Sequence, residues 1–412
     1  MFESIITDEI FYTFKNYIEP SQHGFYKRRS TIFNLAVFQD FLTRNVESGY
    51  QIDVIYTDMA KAFDSISHKL LLNKLESLGV TGAYLNWIRS YLQNRRQHVK
   101  LCGQVSKEIF VKSGVPQGSH LGPVLFLIFV NSVVSVFKNC KFLMYADDLK
   151  FFYVIRSTAD CLVVQEELLE LANRCEKKLL MLNLKKCKIM RFYRCKDPII
   201  YNYKVGETEL DSVDRINDLG VIFDAQLTFK AHIENIVLRG YRLLGFLKRT
   251  CFYICDTGAI KCLYNCLVRS VLEYNSVIWC PSYNYIQQLE SVQNKFVKFL
   301  LYKYKIPYRD ISRTVRLQLV GLETLEKRRE KALTIFLFKI YNNLIDCPEL
   351  LSRILINISV RRTRNRQLFV QSYHRTNYGQ RCFIDRLARN YNLHYNHIDI
   401  FANSLNSLGR KL

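Results

Sequence analysis

Apolar residues follow two rhythms along this chain. Residues 1–50 read as helical, broken at Pro20 and at the basic patch Lys27-Arg28-Arg29. Ile32, Leu35, Ala36 and Phe38 then share a helical face, with Ser30 or Thr31 as N-cap of a helix running to about Asn45. The run Ile52-Asp53-Val54-Ile55-Tyr56-Thr57 predicts a β-strand. Helices are expected over 67–78, stopped by Gly79, and over 84–92, ended before Arg95-Arg96. Residues 98–112 predict two short strands around Cys102-Gly103. Residues 114–122 form a glycine-rich turn that opens a very apolar helix over 123–137. Residues 141–155 predict a hairpin with Asp147-Asp148 at or near its tip. An amphipathic helix is expected over 161–181, with Leu168, Leu169, Ala172, Cys175 and Leu179 on one face. Strand-like pieces surround Ile189, Ile199 and Leu219-Gly220-Val221-Ile222.

From Leu227 onward the rhythm is helical. Phe229, Ile233, Ile236, Val237 and Leu244 form an apolar stripe, with Lys230, Arg239, Arg242, Lys248 and Arg249 among them. No internal repeat or low-complexity tract interrupts the chain. The expected class is α+β, with a mixed front and a helical, basic back.

Composition narrows the partners. The 412 residues are 49% apolar and 13% aromatic, enough for a sizeable core and two or three domains. Lys plus Arg is 59 against 37 Asp plus Glu, a net charge of +22, which favours nucleic acid or an anionic membrane surface. No stretch reaches the roughly 18 apolar residues of a spanning helix. The first residues lack a basic head and carry early acids, unlike a secretory signal. Residues 311–412 hold 18 Lys/Arg and 7 Asp/Glu, so 18 − 7 = +11. Arg361, Arg362, Arg364 and Arg366 crowd together there, as an RNA-binding cluster or as an exposed loop. Thirteen cysteines without a Cys-x-x-Cys pair point to reduced thiols in cytosol or nucleus. Cys251, Cys255, Cys262 and Cys266 have a spacing that zinc could use; the alternative is small apolar filling, with Cys262 and Cys266 one helical turn apart.

The acids inside apolar runs carry the candidate chemistry. Asp58 closes the run 52–57, and Asp147-Asp148 sit between Phe142-Leu143-Met144-Tyr145 and Leu149-Lys150-Phe151-Phe152. Burying unpaired ionised groups costs several kcal/mol or more. A shared divalent metal removes that cost and joins the two segments. On this reading Asp58 bridges metal with the Met59 carbonyl as a further ligand, and Phe63 lies under a nucleotide sugar, where a bulky ring excludes a 2′-hydroxyl. The competing reading makes Asp58 a helix N-cap and Phe63 core. In Ser113-Gly114-Val115-Pro116-Gln117-Gly118-Ser119-His120-Leu121-Gly122-Pro123, the glycines permit close approach of a ligand and Gln117 is placed to touch a nucleotide and template base; otherwise the segment is a helix-leading turn. Without metal, clustered carboxylates repel and raise one another's pKa.

In this order and spacing, the three segments resemble the core motifs of reverse transcriptases, and in detail the non-LTR (LINE-like, jockey-like) retrotransposon branch. Gln22-His23-Gly24-Phe25-Tyr26-Lys27-Arg28-Arg29-Ser30-Thr31 is similar to that branch's finger-to-palm segment. Leu182-Asn183-Leu184-Lys185-Lys186-Cys187-Lys188 is similar to its lysine motif, Leu219-Gly220-Val221 to its primer-grip hairpin, and Gly321-Leu322-Glu323-Thr324-Leu325-Glu326-Lys327-Arg328-Arg329 to its C-terminal region. The resemblance implies a right-hand polymerase: partial fingers over 1–50, palm over 51–226, a thumb-like helical domain over 227–310 and a basic helical region over 311–412. It implies catalytic Asp58, Asp147, Asp148 and Lys186, with Lys186 steadying or protonating the pyrophosphate. It implies two Mg²⁺, or Mn²⁺ in their place, on Asp58, Met59, Asp147 and Asp148. Phe63, Gln117, Gly118 and Tyr145 are then expected at the nucleotide, and Lys27, Arg28, Arg29, Lys230, Arg239, Arg242, Lys248 and Arg249 at nucleic acid. Partners would be an RNA template, a DNA primer and deoxynucleoside triphosphates, with no membrane role; oligomeric state stays open. Against the family pattern, the chain is expected to begin after the fingertip segment, without the endonuclease or zinc knuckle of relatives. The rival expectations are an inactive nucleic-acid-binding remnant and an unrelated two-metal nuclease.

Overall fold

The computed structural model describes residues 2–279, 281, 283–358, 367–401 and 404–412. The cluster Arg361, Arg362, Arg364 and Arg366 lies outside the described residues. The chain forms two compact units, one of residues 1–30 and 49–213, the other of residues 31–48 and 214–412.

The first unit is built on a sheet of β1 (Gln51–Thr57), β2 (Lys141–Tyr145), β3 (Asp148–Ile155), β4 (Lys188–Phe192) and β5 (Asp211–Ser212), in the order β5-β4-β1-β3-β2. Only β4 and β5 run parallel among these pairs. Ile52, Val54 and Ile55 are fully buried, because the central strand is covered on both faces. Its one acid, Asp53, is also buried and accepts hydrogen bonds from Gln51 Nε2 and the Tyr203 hydroxyl, each at 2.8 Å. Burial pushes its carboxyl above the ordinary value, against those two hydrogen bonds and the nearby Arg191.

The helices α1 (Phe2–Phe14), α2 (His68–Ser77), α3 (Gly82–Leu92), α4 (Leu121–Asn131) and α5 (Thr158–Lys177) supply the rest of one core with the sheet. Ser67 caps α2 by accepting from Leu70 N, and Gly79 follows its end at φ 92°. α4 is apolar on every side and buried almost throughout, as such a helix must be in water. It starts at Leu121 and stops at Asn131, earlier than the apolar pattern alone implies. Asn131 ends it by accepting from Glu19 N at 2.6 Å and donating to Tyr17 O at 2.8 Å.

Three further expectations change. α5 begins at Thr158, where Ser157 and Asp160 form a capping box, and ends at Lys177. Its inward face is Cys161, Val164, Leu168, Leu171 and Cys175; Leu169, one residue step off that face, and Leu179, past the helix at φ 60°, are exposed. Ile199 forms no strand; its N–H and carbonyl pair with the Gln51 side chain at 2.8 Å each. Residues 96–110 make two stacked two-residue pairings rather than two strands, closing on Cys102 (φ 48°) and Gly103 (φ 82°). Both turn residues are left-handed, as a two-residue type I′ hairpin requires.

The second unit opens with the hairpin β6 (Arg215–Asp218) and β7 (Val221–Asp224), turning on Leu219 and Gly220 at φ 47° and 83°. Asp224 accepts hydrogen bonds from the amides of Gln226, Thr228 and Phe229, which delivers the chain into α6 (Lys230–Thr250). The α6 stripe of Ile233, Ile236, Val237 and Leu244 is buried, as is Phe229 before it. At Gly240 a Cβ would stand 3.0 Å from Leu272 Cδ2, so this glycine permits close helix packing. Tyr264 stacks on Phe296 with centroids 3.9 Å apart, and the fully buried Trp279 lies against His232, with ring centroids 5.6 Å apart. The helix Thr31–Glu47 belongs to this unit; its Asp40 is buried between Arg44 and Arg353. Among the described residues no helix is long and apolar enough to cross a membrane. The described cysteines are all free, with Cys251 buried and Cys255, Cys262 and Cys266 exposed.

Candidate active site

Asp58 is the first residue past β1. Thr57 faces Leu149 across the β1–β3 pair, so the chain leaves the sheet beside Asp148. Tyr145 pairs with Asp148, leaving Ala146 and Asp147 as the two turn residues between β2 and β3. The three aspartates therefore meet at one end of three adjacent strands. The segment 181–186 is latched to the same end: Ala60 N donates to Met181 O and Asn183 N to Asp58 O, each at 2.8 Å, and Met59 bridges Leu182. That latch carries Lys186, whose Nζ lies 3.3 Å from Asp58 Oδ2. The Met59 side chain is buried in the core.

Asp147 is partly buried and Asp148 exposed. Burial pushes the Asp147 carboxyl above its ordinary value; a hydrogen bond from its own backbone and the charge of Lys186 oppose the rise, and Asp58 adds to it. A pair of carboxylates held in this way is the donor set a divalent cation relieves, and oxygen-only ligands suit a hard ion. Among the described residues, the group of His, Cys, Asp or Glu ligand atoms within 4.8 Å of one another is His374, Cys382 and Asp385, not the three aspartates or the four cysteines of 251–266. His374 is instead engaged by carboxylates on both ring nitrogens, Glu47 and Asp385, each at 2.7 Å.

Phe63 stacks on Phe126, with centroids 4.3 Å apart and planes 11° apart, and meets the edge of Phe25 at 5.8 Å. The ring is thus held from behind by the core. Gly114, at φ 88°, lies against the backbone of Phe63 and Asp64, and Val115 N donates to Phe63 O at 2.9 Å. Gln117 Nε2 donates to Asp64 Oδ1 at 2.9 Å, which fixes the orientation of its amide. Gly118 follows at φ 79° with open space around it. Beside this loop is a cleft of about 620 Å³ lined by Lys61, Arg95, Arg96 and Lys112 against Asp64, together with Gln117 and Phe110. Its cations outnumber its acid, so its local field is positive.

A family model described as reverse transcriptase (RNA-dependent DNA polymerase) matches residues 1–223. The chain belongs to the reverse transcriptase family. The sheet unit that carries its motifs is the palm fold of that family, whose members generally use divalent metal ions. The chain is 25% identical over 245 residues to the probable RNA-directed DNA polymerase from transposon BS of Drosophila melanogaster, covering 57% of this chain and 27% of that protein. It is 28% identical over 232 residues to the RNA-directed DNA polymerase from mobile element jockey of Drosophila funebris, covering 53% of this chain and 25% of that protein. These relatives agree with the non-LTR affiliation of the motifs. The chain spans about a quarter of the length of these curated relatives. A structure of apo telomerase from Candida Tropicalis is similar at 12% identity and a TM-score of 0.40, over 77% of this chain and 53% of that one.

In this member of the family the basic residues fall into two groups. Lys27 pairs with Asp8 at 2.7 Å, and Arg29 donates to the carbonyls of Pro20 and Gln22 at 2.7 Å while its guanidinium lies 3.9 Å from the Tyr26 ring centroid. Both are engaged within the fold; Arg28 is an exposed residue at φ 66°. On α6, Arg239, Arg242 and Arg249 are exposed on one helical face, Lys230 pairs weakly with Glu234 at 4.0 Å, and Lys248 packs over Phe299 at 5.5 Å. Burial pulls the Lys248 ammonium below its ordinary value, with Lys295 adding to the effect. Sequence reasoning missed the Asp64–Gln117 pair and the cationic cleft. The doublet Arg95-Arg96 was visible, but its position across from Gln117 depends on the small pairings of residues 96–110.

Proposed function

We propose that this chain is the RNA-directed DNA polymerase portion of a non-LTR retrotransposon, extending a DNA primer on an RNA template with deoxynucleoside triphosphates. The observation that carries the reading is the meeting of Asp58, Asp147 and Asp148 at one end of the sheet with Lys186 3.3 Å from Asp58. Two Mg²⁺, or Mn²⁺, held by the three carboxylates and the Met59 carbonyl would supply charge neutralisation to the attacking and leaving oxygens. Lys186 offers a proton or a positive charge to the departing pyrophosphate. Phe63, backed by Phe126, closes the space beside the sugar and excludes a 2′-hydroxyl. Gln117, held by Asp64, and Gly118 face the nucleotide together with Tyr145, and the cleft of Lys61, Arg95, Arg96 and Lys112 receives phosphates. Arg239, Arg242 and Arg249 contact backbone phosphates without reading sequence. Palm over 51–226, partial fingers over 1–50, a thumb over 227–310 and a basic region over 311–412 complete the reading, with activity in cytoplasm and nucleus.

The test is Mg²⁺-dependent incorporation of deoxynucleotides on a primed RNA template, beside Asp147→Ala. Incorporation by the parent and not by the variant supports the polymerase. Salt-sensitive RNA binding with no incorporation by either protein supports a binding remnant instead. Cleavage of nucleic acid without deoxynucleotides, lost in Asp147→Ala, supports a two-metal nuclease.

A further inference from the structure

We propose that Gln22 is a positioning residue for the catalytic turn: its carboxamide holds Ala146 in the left-handed conformation that aims Asp147 and Asp148. The proposal rests on the polymerase reading for its consequence, though not for its geometry.

Ala146 occupies the first turn position between β2 and β3 at φ 58°. A residue with a Cβ adopts that conformation against its preference, and persists there only where its surroundings over-determine it. Ala146 is also buried, so its backbone N–H and carbonyl need partners that a two-residue turn cannot itself supply. Gln22, 2% exposed, supplies both. Ala146 N donates to Gln22 Oε1 at 3.0 Å, and Gln22 Nε2 donates to Ala146 O at 3.2 Å. One side chain thus grips one residue's backbone from both sides.

The clamp is itself held. His23 N donates to Met144 O and Met144 N to Ser21 O, each at 2.9 Å, which ties residues 21–23 alongside β2. Gly24 N donates to the same Gln22 Oε1 at 2.7 Å, and a Cβ at Gly24 would collide with the Ala146 amide. Arg29 donates to the Gln22 carbonyl at 2.7 Å from its place over Tyr26. Residues 20–29 are therefore built around the turn, with Gln22 as the side chain that reaches it. A turn so gripped cannot flip the peptide between Ala146 and Asp147, and the two carboxylates that follow Ala146 keep their directions.

The experiment compares the full chain with Gln22→Met, which keeps length and removes both hydrogen bonds, Gln22→Glu, which keeps only the acceptor, and each change in an Ala146→Gly background. Glycine takes positive φ freely, so it removes the need for a clamp. Primer extension should show kcat about 100-fold lower in Gln22→Met, as expected for reacting groups displaced by about an ångström, with KM for deoxynucleotide changed less than about threefold. In the Ala146→Gly background the same change should cost less than about tenfold. A purely structural Gln22 would lower kcat equally in both backgrounds, which would overturn the proposal. Independently of activity, the ¹³C-methyl signal of Ala146, assigned by its loss in Ala146→Gly, should shift in Gln22→Met and shift partway in Gln22→Glu. An unmoved signal in both Gln22 variants would overturn the clamp. A parent chain without incorporation would remove the polymerase reading and leave this signal to decide the clamp.

Discussion

Gly114 and Gly118 sit in the same loop, both at positive φ, and alanine is expected to behave differently at each. At either site the added Cβ makes the left-handed conformation unfavourable by about 1–2 kcal/mol. At Gly118 nothing lies within 4 Å of the new carbon, so that figure is the whole effect. At Gly114 the carbon would stand 2.8 Å from Asp64 Cα, 2.8 Å from Phe63 O and 2.9 Å from Asp64 O. Those are backbone atoms, and the loop cannot swing aside: Gly114 N donates to Ile66 O at 2.8 Å and its carbonyl lies 2.7 Å from His68 Nε2. Overpacking of this kind adds about 1–3 kcal/mol. The sum for Gly114→Ala is therefore about 2–5 kcal/mol, against about 1–2 for Gly118→Ala. Urea unfolding of the parent and both variants measures the difference. Activity separates them in the opposite sense: Gly118→Ala raises KM for deoxynucleotide by placing a methyl group where the ligand approaches, at small loss of stability. Equal destabilisation at the two sites would refute the packing argument. An unchanged KM in Gly118→Ala would remove that glycine from the nucleotide site.

Three other outcomes are expected. In the metal-free protein Asp147 has its carboxyl raised above its ordinary value by burial, with Asp58 adding and Lys186 opposing; protons compete with metal there, so Mn²⁺ affinity falls as pH drops and the carboxyl takes up its proton. Lys186→Ala removes the opposing charge and should move the fall to higher pH, read by Mn²⁺ titration over about pH 4–7; a fall at unchanged or lower pH would contradict the coupling. Phe63→Val should raise ribonucleotide use relative to deoxynucleotide by at least about tenfold in single-nucleotide incorporation, and no change would return Phe63 to a purely structural role. Nucleic-acid affinity should fall about 10³–10⁵-fold between 50 and 200 mM salt if 6–10 phosphates are engaged, and alanine at Arg239, Arg242 or Arg249 should each lower the salt slope by about 1; slopes equal to the parent's would place the duplex elsewhere.

The regular elements were legible where local pattern and tertiary environment agree. β1 is apolar at Ile52, Val54 and Ile55, on both its faces, because both are covered, and α2 carries its start and stop signals at Ser67 and Gly79. Failures cluster where a side chain from far along the chain replaces a backbone partner. Ile199 looks like strand by composition, yet Gln51, 148 positions away, takes both its backbone groups. Asn131 ends α4 through Glu19 and Tyr17, more than a hundred residues upstream. Hydrophobicity alone puts Leu169 and Leu179 on the apolar face of α5, because it cannot distinguish a residue on the stripe from one a step beside it; both are exposed.

The same distinction divides the site. The aspartates are legible because each stands at the end of an apolar run, where Asp58 and Asp147 are partly buried and Asp148 is exposed, and the register of β1, β2 and β3 then brings three such ends together. Their supports are not legible, because each is a long-range amide or carboxylate contact made by a residue that is ordinary in its own stretch. Gln22 is a glutamine in a loop until it grips Ala146; Asp64 is a spare acid until it orients Gln117. Ala146 shows why the supports matter. The commonest two-residue hairpins place glycine or asparagine at left-handed positions, and this turn has neither. Glycine would form the turn more easily and hold it less firmly. An alanine forced into place by a buried glutamine gives up some local stability for a fixed direction of the adjoining carboxylates, and direction is what a two-carboxylate metal site requires of its backbone.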